Sequence, residues 1–128
     1  MVALRKVEGL LAGGATVEVI APEVNANLKD MEQAGRVVVR RRRFEPGDTS
    51  GAFLVIAATN DPDVNHAVAR EALDGSCLVN VVDDPDYCNF ILPAVVDRSP
   101  VIVAFSTGGR VPVLARSLRA RLEAMLPA

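Results

Sequence analysis

The chain has 128 residues, half of them apolar, which is enough for one domain with a real core. Fourteen Lys and Arg against sixteen Asp and Glu leave a net charge of −2, aromatics make up 4 %, and Trp is absent. A basic field or a base-stacking surface for nucleic acid is therefore excluded, and no apolar run approaches the about 20 residues that span a bilayer. The first residues lack the charged-then-apolar layout of a secretory signal. Cys77 and Cys88 stand too far apart for a C-x-x-C metal or redox motif, so reduced, cytoplasmic thiols are expected.

Ala3, Val7, Leu10 and Leu11 share one helical face, and Gly13-Gly14 ends that helix. Residues 15–21, ATVEVIA, read as a strand closed by Pro22, and residues 25–34 as a weakly patterned helix stopped at Gly35. Residues 37–44, VVVRRRRF, read as a second strand. Its four arginines would alternate between faces, as suits an edge strand guarded against aggregation; attraction of a polyanionic substrate is the functional alternative. Residues 53–57 form a third strand, apolar throughout and expected to be buried. Thr59 and Asn60 follow its carboxyl end. Asp61 then caps a helix with Pro62 at its first position and Val64, Ala67, Val68 and Ala72 on its apolar face. His66, the single histidine, falls on the other side, where a solvated side chain is expected rather than a metal ligand.

Strands alternating with helices of about ten residues give a parallel sheet built from βαβ units. Ligands of such sheets bind in the crevice beyond the carboxyl ends of the strands. The apolar strand Leu78-Val79-Asn80-Val81-Val82 stops at Asp83-Asp84-Pro85-Asp86, which sets Asp83 at such a position. Asp83 and Asp84 as mere caps of a turn set by Pro85 is the competing reading. After Asp83 the alternation breaks. Ala94-Val95-Val96 and residues 101–105 suggest two more strands, and a last helix begins with Pro112 and carries Leu114, Leu118, Leu122 and Met125 on one stripe. Ser106-Thr107-Gly108-Gly109-Arg110 precedes that helix. Glycines beside a helix amino terminus leave amides free to hold an anion, although STGG is also an ordinary turn.

The run NVVDDPDYCNFILPAVVDRSP followed by STGGRVPVLARSLRARLE resembles the amino-terminal module of siroheme synthases, a family of precorrin-2 dehydrogenases of which some are also sirohydrochlorin ferrochelatases. The segments VALRKVEGLL, VEVIAPE, FEPGD and LVIAATNDPDVN are similar to the same module, in the same order. Such modules open with a strand and a glycine-rich loop just before VALRKV, and no G-x-G-x-x-G occurs here. The resemblance thus leads to the expectation that a central strand and its phosphate-binding loop lie upstream of Met1, and that residues 1–128 alone bind NAD weakly.

The resemblance implies an α/β fold: a Rossmann-like parallel sheet lacking its first strand over residues 1–92, followed by a small strand-plus-helix dimerisation tail over residues 93–128. It implies NAD-dependent oxidation of precorrin-2 to sirohydrochlorin in siroheme synthesis, in some members followed by insertion of ferrous iron as a substrate. Asp83 matches the family's motif aspartate, the base for the departing proton. Following a buried strand, Asp83 is expected in partly dry surroundings, which favour a base near neutral pH. Val2 and Ala3 are the downstream edge of the cofactor loop. Pro22 and Glu23 form a second cofactor contact region, where Glu23 either bonds a ribose hydroxyl or is a plain exposed helix-start glutamate. Thr59 and Asn60 would line the nicotinamide side. Thr107, Gly108, Gly109 and Arg110 would hold a carboxylate of the tetrapyrrole. A homodimer is implied, and neither a resident metal nor a membrane or nucleic-acid partner. Two other readings stay open, a non-catalytic tetrapyrrole- or nucleotide-binding fragment and a nucleotide-sensing regulatory domain; VVDDP and STGG speak against the second.

Overall fold

In the computed structural model the described residues are 2–126, with the backbone alone described for Val2. The elements are α1 (Val2–Ala12), β1 (Val17–Ile20), α2 (Ala26–Gln33), β2 (Val37–Arg40), β3 (Leu54–Ala57), α3 (Pro62–Asp74), β4 (Leu78–Val81), a one-turn 3-10 helix (Pro85–Tyr87), β5 (Ala94–Arg98), β6 (Val101–Phe105) and α4 (Pro112–Met125). The strands form three pairs. β1 and β2 are parallel, with Val17 opposite Val37. β3 and β4 are parallel, with Leu54 opposite Leu78. β5 and β6 are antiparallel, with Ala94 opposite Phe105.

Each parallel pair is a βαβ unit with its own core, because a helix of period 3.6 must bury its apolar stripe against the strands it connects. Val7 of α1, Val17, Leu28 of α2 and Val37 make one cluster. Ala57, Val68, Ala69, Ala72, Cys77, Val79 and Val81 make the other. Small residues on α3 let it lie close to β4, and Ala69, Ala72 and Val79 are fully buried. Val7, Leu10 and Leu11 of α1 pack as expected, whereas Ala3 is exposed and Leu4 packs onto the core instead.

Two strand expectations are corrected. The second strand ends at Arg40, and the arginine run does not alternate along an edge. Arg40 pairs with Glu18 on β1, Arg41 with Glu32 on α2, and Arg42 with Asp48 in the following loop. Local acidic partners therefore draw the chain out of the strand. β3 is only partly buried, and Phe53 just before it is 83 % exposed. The reason is that β3 is hydrogen-bonded to β4 on one side and to no other strand among the described residues.

The loop between β2 and β3 is held by two carboxylates. Asp48 takes a bidentate bond from Arg42 (2.7 Å to each oxygen) and a third from the Glu45 amide, which together hold its carboxyl at about 2. Glu71 on α3 accepts from the Thr49 hydroxyl at 2.6 Å and from the amides of Gly47 and Thr49 at 2.8 and 3.0 Å. The Thr49 hydroxyl is the main cause that holds the Glu71 carboxyl below its ordinary value, with the two amides adding to it. A carboxylate whose folded value is depressed stabilises the fold above its unfolded value, about 4.3, and that contribution is lost as pH falls through the folded value. Glu71→Gln should therefore lower the urea midpoint at pH 7, with the gap to wild type closing by about pH 3. A gap that is the same at both pH values would show that Glu71 does not act through its charge.

Candidate active site at the carboxyl ends of the parallel strands

The carboxyl ends of β1, β3 and β4 carry five of the eleven residues singled out by sequence, Pro22, Glu23, Thr59, Asn60 and Asp83. Ala21, Pro22 and Glu23 leave β1, and the Pro22 and Glu23 side chains are exposed. Glu23 makes no internal hydrogen bond or ion pair among the described residues, so its carboxylate is free to accept. Thr59 and Asn60 leave β3, both exposed. Asn65 on α3 accepts from the Thr59 amide (3.1 Å) and hydroxyl (2.7 Å) and returns a bond to the Thr59 carbonyl (3.1 Å). Thr59 is thus fixed as the turn into α3, while the Asn60 amide projects without such a tether. Asp61 caps α3 as expected, accepting from Asp63 and Val64. Ala3 lies in the first turn of α1; Val2 opens that helix, and its side chain lies outside the described residues.

Asp83 follows β4 by two residues and has φ +61°, the left-handed region that costs an ordinary side chain about 1–2 kcal/mol. Its side chain is exposed, so the dry surroundings expected from the buried strand are absent. Half-buried Lys6 on α1 lies near enough for Asp83 and Cys88 to favour its charge; burial first and Arg5 second outweigh them and lower its pKa. A cation of α1 therefore lies close to the Asp83 carboxylate.

What holds the turn is the segment behind it, folded along the free edge of β4. Asn89 accepts from the Val79 amide at 2.7 Å and donates to the Cys77 carbonyl at 2.9 Å. Asn80 donates to the Phe90 carbonyl at 3.1 Å. The Cys88 thiol sits against the Val81 amide and carbonyl and the Asp84 carbonyl, at 3.1 to 3.3 Å. These side chains satisfy strand groups that would otherwise be left bare.

The loop Ser106–Arg110 reaches the same place. Gly109, at φ +75°, lies beside Pro85 and Ile91, where an added Cβ would stand in ordinary contact at 3.4 Å from both. The left-handed backbone is what calls for glycine here. The Ser106 hydroxyl accepts from the Gly108 amide at 3.0 Å, and the Thr107 hydroxyl accepts from Val111 at 3.2 Å. Arg110 is exposed and makes no ion pair among the described residues. Asp83 and Arg110 are thereby carried by two segments in contact through Pro85 and Gly109.

One expectation at this edge is overturned. His66 is no solvated helix residue: its Nε2 lies 2.7 Å from Asp84 Oδ2, and its ring stacks on Tyr87 with centroids 3.8 Å apart and planes 8° from parallel. The spacing Asp84-x-x-Tyr87 across one 3-10 turn was the available signal, but only the crossing of α3 over that turn brings His66 to it.

The polar groups present fit the ribose and nicotinamide ends of a dinucleotide. A free carboxylate after β1 suits a ribose hydroxyl, and a free amide after β3 suits a carboxamide. Comparison with known proteins agrees. The model of the family described as “Putative NAD(P)-binding” matches residues 1–94. The siroheme synthase of Methylobacillus flagellatus is 50 % identical over 127 residues, 99 % of this chain and 27 % of that protein. The siroheme synthase of Photorhabdus laumondii is 51 % identical over 126 residues, 98 % of this chain and 27 % of that protein. Among solved structures, SirC, a precorrin-2 dehydrogenase, superposes with a TM-score of 0.87 at 29 % identity, over 99 % of this chain and 62 % of the SirC chain. The chain thus spans about a quarter of the length of the curated relatives it matches. It belongs to the NAD(P)-binding family whose model it matches.

Proposed function

We propose that this chain is a precorrin-2 dehydrogenase module, oxidising precorrin-2 to sirohydrochlorin with NAD. The observation that carries the reading is the exposed Asp83 carboxylate, held in a left-handed turn at the carboxyl end of β4, next to the Gly108-Gly109-Arg110 loop. The relatives named above support it. Bound NAD would accept the hydride. Glu23 and Asn60 would hold it by its ribose and nicotinamide ends, with Val2, Ala3, Pro22 and Thr59 forming the backbone walls.

Oxidation removes a hydride and a proton from the substrate. Asp83 takes the proton, and Arg110 with the amides of Thr107 and Gly109 holds a carboxylate of the macrocycle. A flat ring laid over the exposed Asp83 displaces the water that stabilises the carboxylate, and so strengthens it as a base. Where iron insertion follows, ferrous iron is a substrate, and Asp83 takes a proton from the macrocycle before the metal enters it. Asp83→Asn keeps the shape and removes the base, so NADH formation from precorrin-2 should fall about 10²- to 10⁴-fold, with circular dichroism unchanged. A variant that keeps most of its turnover would refute the assignment.

Residues 1–92 form the cofactor-binding part in this reading and residues 93–128 the dimerisation part, supported by the change from parallel to antiparallel pairing. α4 buries none of its side chains, and Leu114, Leu118 and Met125 are 48, 37 and 75 % exposed. Val101 and Ile102 on β6 are exposed as well. An apolar surface of this kind suits a second copy of the chain. Replacing Leu118 and Leu122 by Glu should give a monomer in sedimentation; an unchanged dimer would move the interface elsewhere. A cytoplasmic setting suits the two free cysteines, whose thiols are engaged in hydrogen bonds.

A further inference from the structure

We infer that His66 is a positioning residue for the Asp83 carboxylate, acting through Asp84 and Tyr87; this rests on the reading of Asp83 as the base. Asp83 has no side-chain hydrogen bond among the described residues, so the direction in which it points is set by the backbone on either side. Upstream, that backbone is β4, which is held by its ladder with β3. Downstream it is Asp84, whose amide donates to the Val81 carbonyl (3.3 Å) and whose carbonyl accepts from the Tyr87 amide (3.2 Å) and the Cys88 thiol (3.3 Å).

Among the described residues the one side-chain anchor of Asp84 is His66, whose Nε2 lies 2.7 Å from Asp84 Oδ2. The same ring lies flat on Tyr87, which closes the 3-10 turn at its far end. His66 thus grips the turn at both ends. It sits on α3, one turn before Ala69 and two before Ala72, both fully buried. The grip therefore ties a strained, solvent-facing turn to a helix with four buried residues, Asn65, Val68, Ala69 and Ala72. A histidine needed only for stability would require neither the hydrogen bond to fall on Asp84, next to Asp83, nor the stack to fall on the same turn.

Two substitutions separate the bond from the stack. His66→Phe keeps a flat ring over Tyr87 and loses the hydrogen bond; His66→Gln keeps a donor for Asp84 and loses the ring. In the full protein, His66→Phe should lower kcat for precorrin-2 oxidation about 10- to 100-fold, the scale of a misplaced catalytic group, with KM for NAD little changed. His66→Gln should recover most of that loss. The three-bond amide–Hα coupling of Asp83, which reports its φ, should change in His66→Phe and return in His66→Gln. A wild-type coupling in His66→Phe overturns the inference, as does loss of kcat that follows only the fall in melting temperature in both variants. If the wild-type protein does not turn over precorrin-2, the proposed function fails, and the Asp83 coupling alone decides the positioning role in the same two ways.

Discussion

The candidate site depends on how the free edge of β4 is satisfied. One edge of this strand runs beside β3; the other meets no strand among the described residues and would leave buried amides and carbonyls without partners. Asn89 answers this with two bonds to the backbone at Val79 and Cys77, and the Cys88 thiol covers Val81. Each such group left bare costs about 1–3 kcal/mol, so the segment is drawn back along the strand it has just left. A chain that reverses over so few residues needs a sharp turn, and Asp83 takes the left-handed conformation that makes it. The exposed carboxylate is the outcome of backbone satisfaction in a buried strand.

The same reversal gathers the other groups. The turn of Asp84 and the 3-10 helix Pro85–Tyr87 presents Pro85 to Gly109 and Asp84 and Tyr87 to His66, and Lys6 of α1 is near enough for Asp83 and Cys88 to favour its charge. Three separate stretches of sequence meet at one turn. Opposite charges lie on the segments that meet here, with Lys6 close to Asp83 and Arg110 next to Gly109, which lies against Pro85. This suits a ligand that carries carboxylates and gives up a proton.

Much of this was legible in the sequence because it is periodic or capped. The helix starts at Asp61-Pro62 and Pro112, the stop at Asp83, and strand ends expected at Ala21, Ala57 and Val82, within one residue of the observed Ile20, Ala57 and Val81, all follow from local chemistry. The failures share a cause in contacts between distant residues. Phe53 and β3 look buried from composition, yet exposure depends on which strands lie alongside. The arginine run looks like an edge strand, yet Glu18, Glu32 and Asp48 decide where each guanidinium goes. His66 looks solvated because helical spacing cannot reveal that α3 crosses the turn after β4. Asp83 looks dry because the strand before it is buried, but a left-handed residue turns its side chain outward.

The central claim is that this edge, built by β1, β3, β4 and α1, is where the nucleotide and the base meet. Amide chemical shifts followed during titration with millimolar NAD test it most directly, since they register even weak binding residue by residue. Shifts are expected at Ala3, at Ala21 to Glu23, at Ala58 to Asn60 and at Val82 to Asp84, with the cleft of Gly47, Thr49, Gly51 and Cys77 at the opposite ends of β3 and β4 unmoved. Shifts confined to that opposite cleft, or none at either end, would contradict it.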